Sequence, residues 1–149
     1  MYLSFYKKLF QPVYIIPYLG IIPFLLIIID INFIHLFDIP LIKKFIIFYT
    51  LIIFSFVGAM RWNFSNNISA FKIIYGFLPS LISTILIFLQ LFAFNNNIII
   101  IFIIFSLSSQ LIIDFVISNF YRDEKFFFHY VRLPVTVIIM IFLCYLTFV

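Results

Sequence analysis

No charged side chain stands between Lys72 and Asp114, and none occurs within residues 13–29, 45–60 or 133–149. Ile, Phe and Leu dominate these runs. An α-helix rises about 1.5 Å per residue and the hydrocarbon of a bilayer is about 30 Å thick, so about 20 apolar residues cross it. The longest interval has room for two crossings, and Asn95-Asn96-Asn97 reads as the tight turn between them. Hydrophobic residues fill 66% of the 149 positions and charged residues 9%, where a soluble domain carries about 45–50% and about 25%. A water-soluble fold of this length has too little interior to hide that much apolar surface. The solvent is therefore lipid. The runs predict an all-α membrane protein with five transmembrane helices, over about residues 13–30, 44–62, 71–94, 98–120 and 130–149. They are expected to form one compact bundle, with residues 1–149 as a single membrane domain.

Lys7 and Lys8 ahead of an apolar run imitate a secretory signal. Asp30-Ile31-Asn32-Phe33 is not a small-residue cleavage site, so the run reads as a retained helix. Pro17 falls near its first turn, where proline is tolerated, and Pro23 stands mid-run and predicts a kink. Residues 31–42 are apolar but dotted with Asn32, His35 and Asp38. They are too short to span again and read as a connection lying in the membrane interface. Lys43 and Lys44 open the second helix, and residues 63–70 form a polar connector. Arg122-Asp123-Glu124-Lys125 is the most charged stretch and reads as a water-side loop. Pro134 then falls in the first turn of the fifth helix, where a missing N–H costs little.

Five crossings put residues 1–12, 63–70 and 121–128 on one side. Counting helix ends, that side carries Lys7, Lys8, Arg61, Lys72, Arg122, Lys125 and Arg132, and the other carries only Lys43 and Lys44. Cations concentrate on the cytoplasmic side of membrane proteins. The count predicts a multi-pass protein of a cell (inner) membrane, N-terminus inside and C-terminus outside. The formal charge of +4 reflects this asymmetry and not a nucleic-acid surface, because the nine cations form no basic stripe.

Polar side chains within the spans are the carriers of any specific work. Ser106, Gln110 and Asp114 are spaced four apart and so share a helix face. Topology brings Asp114 to the same depth as Arg61, which ends the second helix, and Arg132, which begins the fifth. A carboxylate just inside hydrocarbon is costly unless paired. The spacing predicts a polar cluster of Arg61, Gln110, Asp114 and Arg132, read either as a clamp holding three helices in register or as a polar pocket or ion path. Gly58-Ala59-Met60-Arg61-Trp62 joins two small residues to a cation and the only tryptophan. Gly58, Ala59 and Trp62, with Pro79 on the third helix, read as a helix-packing and interface motif. His35 and His129 fall at opposite membrane faces, so no single haem reaches both. The single cysteine, Cys144, forms no intrachain disulfide. No nucleophile with a base, metal-ligand spacing or phosphate loop is present, so the sequence implies no enzyme and no cofactor.

Five short motifs occur in succession: Leu19-Gly20-Ile21-Ile22-Pro23-Phe24, Phe56-Val57-Gly58-Ala59-Met60-Arg61-Trp62, Leu78-Pro79-Ser80-Leu81, Gln110-Leu111-Ile112-Ile113-Asp114 and Tyr130-Val131-Arg132-Leu133-Pro134-Val135-Thr136. In order and spacing the series resembles the DUF3429 family of small bacterial membrane proteins, which has mitochondrial transmembrane relatives. The chain departs from the family pattern at Ala59 and Asn63, where glycines are usual. The resemblance implies architecture and membrane location, and draws attention to Arg61, Trp62, Asp114 and Arg132; it implies no reaction. Two functions are compatible with these features. One is a non-enzymatic scaffold or assembly/accessory protein, whose partners are the bilayer and other membrane proteins or a second copy. The other is a small carrier or ion-conducting protein that uses the Arg–Asp cluster.

Overall fold

The computed structural model describes residues 12–59, 70–118 and 122–149, with side chains at 14–59, 73–116 and 125–149. Among these residues every regular element is helical. In chain order the elements are α1 (Pro12–Leu19), α2 (Ile22–Ile29) with a π-turn at Asp30–Ile34, α3 (Ile39–Ala59), α4 (Ala70–Leu91), α5 (Asn96–Ser118), α6 (Arg122–Phe127) with a π-turn at Phe128–Arg132, and α7 (Leu133–Phe148). Among the described residues five stretches are long and apolar enough to cross a membrane: Tyr14–Ile34, Ile39–Ala59, Ile73–Leu91, Asn96–Val116 and Lys125–Phe148. The protein is an all-α, five-span membrane protein. Its contacts divide it into two compact units, Met1–Phe37 with Leu107–Val149, and Asp38–Ser106.

In the first unit the expected kink at Pro23 is a break one turn earlier. Pro23 has no N–H, and its ring crowds the carbonyl four residues back. The chain responds by tightening: the Gly20 amide donates to the Pro17 carbonyl at 3.2 Å and the Ile21 amide to that of Tyr18 at 3.0 Å. Pro23 then falls at the start of α2, where it is harmless. Asp30 does not close the first span, which continues to Ile34 through a π-turn. His35 adopts the left-handed conformation, φ 53°, and its amide reaches back to the Asp30 carbonyl at 2.8 Å. The Asp30 carboxylate accepts from the amides of Leu36 at 3.0 Å and Phe37 at 3.3 Å. Asp30 is therefore the buried cap of this helix end.

At the other end of this unit the charged stretch expected as a loop is helical. α6 leads through the π-turn into α7 without interruption. Pro134 thus lies inside a continuous helical run and not in an opening turn. It cannot donate to the Tyr130 carbonyl four residues back. Two devices meet that loss. The Leu133 amide bonds the Phe128 carbonyl in the π pattern, and the Tyr18 hydroxyl donates to the Tyr130 carbonyl. The inward stripe is Phe128, Val131, Val135, Ile139, Phe142, Leu143 and Leu146, with Phe24 packing edge-on against Phe142 at 5.1 Å.

In the second unit α3 begins at Ile39, five residues before the expected start. The Asp38 carbonyl accepts from the amides of Leu41 and Ile42, and Pro40 sits in the first turn, where its missing N–H costs little. Lys43 and Lys44 therefore lie in the second turn, and the connection expected over 31–42 is confined to residues 35–38. α4 stops at Leu91, three residues short of the expectation. Ala93 takes φ 56° and the Phe94 amide reaches back to the Leu89 carbonyl at 3.3 Å, closing the helix as glycine commonly does. The expected turn at residues 95–97 is also displaced, because Asn96 and Asn97 already belong to α5. Asn95 caps that helix, its Oδ1 accepting from the Asn97 amide at 2.9 Å.

α3 and α4 approach closely at Gly58. A Cβ there would lie 2.7 Å from Pro79 Cγ and 2.8 Å from the Gly76 carbonyl oxygen. Higher up the same pair, Ser83 Oγ donates to the Leu51 carbonyl at 3.1 Å. Ile46, Ile47, Leu51, Ile99, Ile100 and Ile103 belong to the buried interior of this unit.

Candidate functional site

α5 carries its buried face as Ile99, Ile100, Ile103, Leu107, Gln110 and Asp114, a regular three-to-four spacing. Up to Leu107 the stripe is aliphatic; in the next two turns it presents an amide and a carboxylate. Helical spacing alone turns both inward, so each needs a partner in the interior. The partner comes from the fifth span. Arg132, the last residue of the second π-turn, is buried.

Arg132 Nε lies 3.0 Å from Asp114 Oδ2, with Asp114 1% and Arg132 8% exposed. Arg132 NH2 donates to Gln110 Oε1 at 2.6 Å, and NH1 donates to Thr136 Oγ1 at 3.0 Å. All three guanidinium nitrogens are thus engaged by the protein itself. The partners lie on two elements, α5 with Gln110 and Asp114, and α7 with Thr136. The spacing of Arg132 and Thr136 places them one above the other on a helix face. Arginine suits such a place because its planar fork donates in several fixed directions at once. Nearby, Ser108 Oγ donates to Met140 Sδ at 3.3 Å, a second polar contact between α5 and α7.

The structure brings Gln110, Asp114 and Arg132 together. Arg61 lies outside the described residues, as does Trp62. Ser106, expected on the same face, is only half-buried, and its hydroxyl turns back to the Phe102 carbonyl at 2.8 Å. Leu107 holds the position on the buried stripe. Of the packing motif, Gly58 and Pro79 meet, but Ala59 is exposed and takes no part in the close approach. Gln90 is the penultimate residue of α4 and lies at a span end.

Sequence reasoning missed two members of the polar set. Thr136 was legible as the fourth residue after Arg132. Asp30 is buried yet satisfied entirely by its own chain end, and no spacing announces a backbone-capping carboxylate within a transmembrane run. Among the described residues no group of three or more His, Cys, Asp or Glu is placed to hold a metal ion. Comparison with known families, with curated proteins and with solved structures finds no match to this chain.

Proposed function

We propose that the chain is a non-enzymatic scaffold or assembly/accessory protein of a cell (inner) membrane, N-terminus cytoplasmic, with the Asp114–Arg132 pair as an internal clamp. The observation that carries the reading is that every nitrogen of the guanidinium is engaged. Each nitrogen is spent on a protein acceptor in a buried setting. A ligand or permeating ion would have to displace Asp114, Gln110 or Thr136 to reach the charge. Transport sites instead keep polar groups available near the membrane middle. The large outward-facing side chains, such as Ile52, Phe56, Phe88, Phe105 and Ile141, offer lateral surfaces for lipid or for other membrane helices. The resemblance to DUF3429 proteins fits an architectural role, and we take the chain as a candidate member of that family.

Affinity purification of the full chain in mild detergent tests the role. A stoichiometric membrane-protein partner supports the scaffold; a lone homo-oligomer carrying a small molecule supports the carrier instead. The orientation has its own test. A reporter active only in the cytoplasm and fused after Val149 stays silent, and activity there refutes the inside–outside assignment.

A further inference from the structure

The second unit contains an open cavity of about 410 Å³ whose wall includes Lys43, Lys44, Gln90 and the three asparagines at 95–97. It sits where the spans Ile39–Ala59 and Asn96–Val116 begin and Ile73–Leu91 ends, which is the level of lipid headgroups. Four observations there point the same way. Lys43 Nζ donates to Asn97 Oδ1 at 2.9 Å, so one ammonium is held in place from the opposite helix. Lys44 is exposed, and among the described residues it has no hydrogen bond or ion pair. Asp38 shares the wall of an adjoining cavity, of about 600 Å³, with Lys44 but forms no ion pair with it, and no carboxylate lines the 410 Å³ cavity. The 23-residue α5 begins here, adding the positive end of its dipole to the two ammonium charges.

Gln90 supplies the independent sign of a ligand. It is 4% exposed and belongs to the cavity wall. Its Nε2 donates to Asn96 Oδ1 at 2.7 Å, while its Oε1 has no partner among the described residues. An amide oxygen left unbonded in such a place is unfavourable. The cavity thus offers positive charge together with a buried acceptor that needs a hydrogen-bond donor, and beside two ammonium groups a neutral hydroxyl suits it better than a further cationic N–H.

We propose that this cavity binds a phosphate group that carries a hydroxyl, with Lys43 and Lys44 facing the anion and Gln90 accepting from the hydroxyl. The group is the head of an anionic phospholipid of the phosphatidylglycerol type, or phosphate itself. The site does not depend on the role assigned to the Asp114–Arg132 clamp. The experiment places the full chain in nanodiscs of phosphatidylcholine, of phosphatidylcholine with phosphatidylglycerol, and of phosphatidylcholine with inorganic phosphate in the buffer. Lipid retained by the protein is identified by native mass spectrometry, and amine-reactive labelling is followed at Lys44 and at exposed Lys125. Phosphatidylglycerol is retained in preference to phosphatidylcholine, and it slows labelling of Lys44 more than of Lys125. Lys43→Gln and Lys44→Gln each weaken that retention about fivefold, as expected for one cation at an anionic surface. Protection of Lys44 by inorganic phosphate, without lipid preference, assigns the site to the free anion. Equal retention of both lipids with no phosphate protection overturns the proposal, as does equal slowing at both lysines. The labelling comparison uses the unaltered chain, so it decides the matter even where a lysine variant fails to fold.

Discussion

Asp114→Ala tests the clamp most directly. In the unaltered chain Arg132 is 8% exposed and bonds Asp114 at 3.0 Å, Gln110 at 2.6 Å and Thr136 at 3.0 Å. Removing the carboxylate leaves the two neutral acceptors in place, so two nitrogens stay bonded. What is lost is the one counter-charge at that guanidinium among the described residues. A buried charge stripped of its partner costs about 3–5 kcal/mol, a large share of the about 5–15 kcal/mol that holds a typical fold together. Gln110→Leu removes one charge-assisted hydrogen bond, worth about 1.5–3 kcal/mol. Thr136→Val removes another of the same kind and belongs at the lower end of that range, because a hydroxyl oxygen is a weaker acceptor than an amide oxygen and the bond is longer, 3.0 Å against 2.6 Å. Asp114→Asn keeps the shape and one acceptor and falls between Asp114→Ala and Thr136→Val.

The measurement is thermal unfolding in a fixed detergent, together with abundance in the membrane. The expected order of loss is Asp114→Ala, then Asp114→Asn and Gln110→Leu, then Thr136→Val. The double variant Asp114→Leu with Arg132→Met removes both charges and fills the space with apolar groups. Replacing a whole buried pair in this way is often neutral or stabilising, so the double variant recovers most of what Asp114→Ala loses. Asp114→Ala with unchanged melting would refute the clamp. So would a double variant that folds as well as the unaltered chain but no longer binds its co-purifying partner, since the charges would then serve function and not register.

Other substitutions probe the two units separately. Gly58→Ala sets a methyl within 3 Å of the Pro79 ring and the Gly76 carbonyl and costs about 1–3 kcal/mol by overpacking; Ala59→Val, on the exposed side, changes melting by less than about 0.5 kcal/mol. Thr50 is 0% exposed and its hydroxyl has no partner among the described residues, so Thr50→Val raises stability by about 1 kcal/mol, and a loss on the same melting assay contradicts the geometry. Tyr18→Phe withdraws the hydroxyl that serves the Tyr130 carbonyl and lowers stability by about 1–3 kcal/mol, an effect that disappears when Pro134→Ala restores the backbone donor.

The five spans were legible because each is an unbroken run of apolar residues, and lipid permits such a run only one regular form. Asp114 and Arg132 were legible for a related reason: charges are so scarce in these spans that the shared depth of a carboxylate and an arginine limits their partners. Boundaries were not legible. Lys43 and Lys44 looked like a helix start because charge interrupts hydropathy, yet Asp38 and Pro40 had already begun the helix. Arg122 to Lys125 looked like a loop for the same reason. Charge marks where a side chain meets water or headgroups; it does not mark where the backbone stops being helical. Asn95, Asn96 and Asn97 read as one turn in the sequence, but the first caps the helix to which the other two belong.

The prolines show a different kind of limit. Pro23 and Pro134 each announce that one carbonyl loses its helical donor, and that much follows from the residue alone. Where a replacement donor comes from does not. At Pro23 the chain breaks early and tightens locally, using amides within three residues. At Pro134 a π-turn absorbs the disturbance and a hydroxyl from a residue 112 positions away supplies the bond. The second solution ties α1 to the segment that ends in Arg132. The two prolines therefore do opposite things to one unit: the first bends its leading helix, and the second fastens that helix beside the clamp. A backbone defect in lipid must be met by whichever donor the fold brings near, so its position can be read from sequence while its repair belongs to the fold.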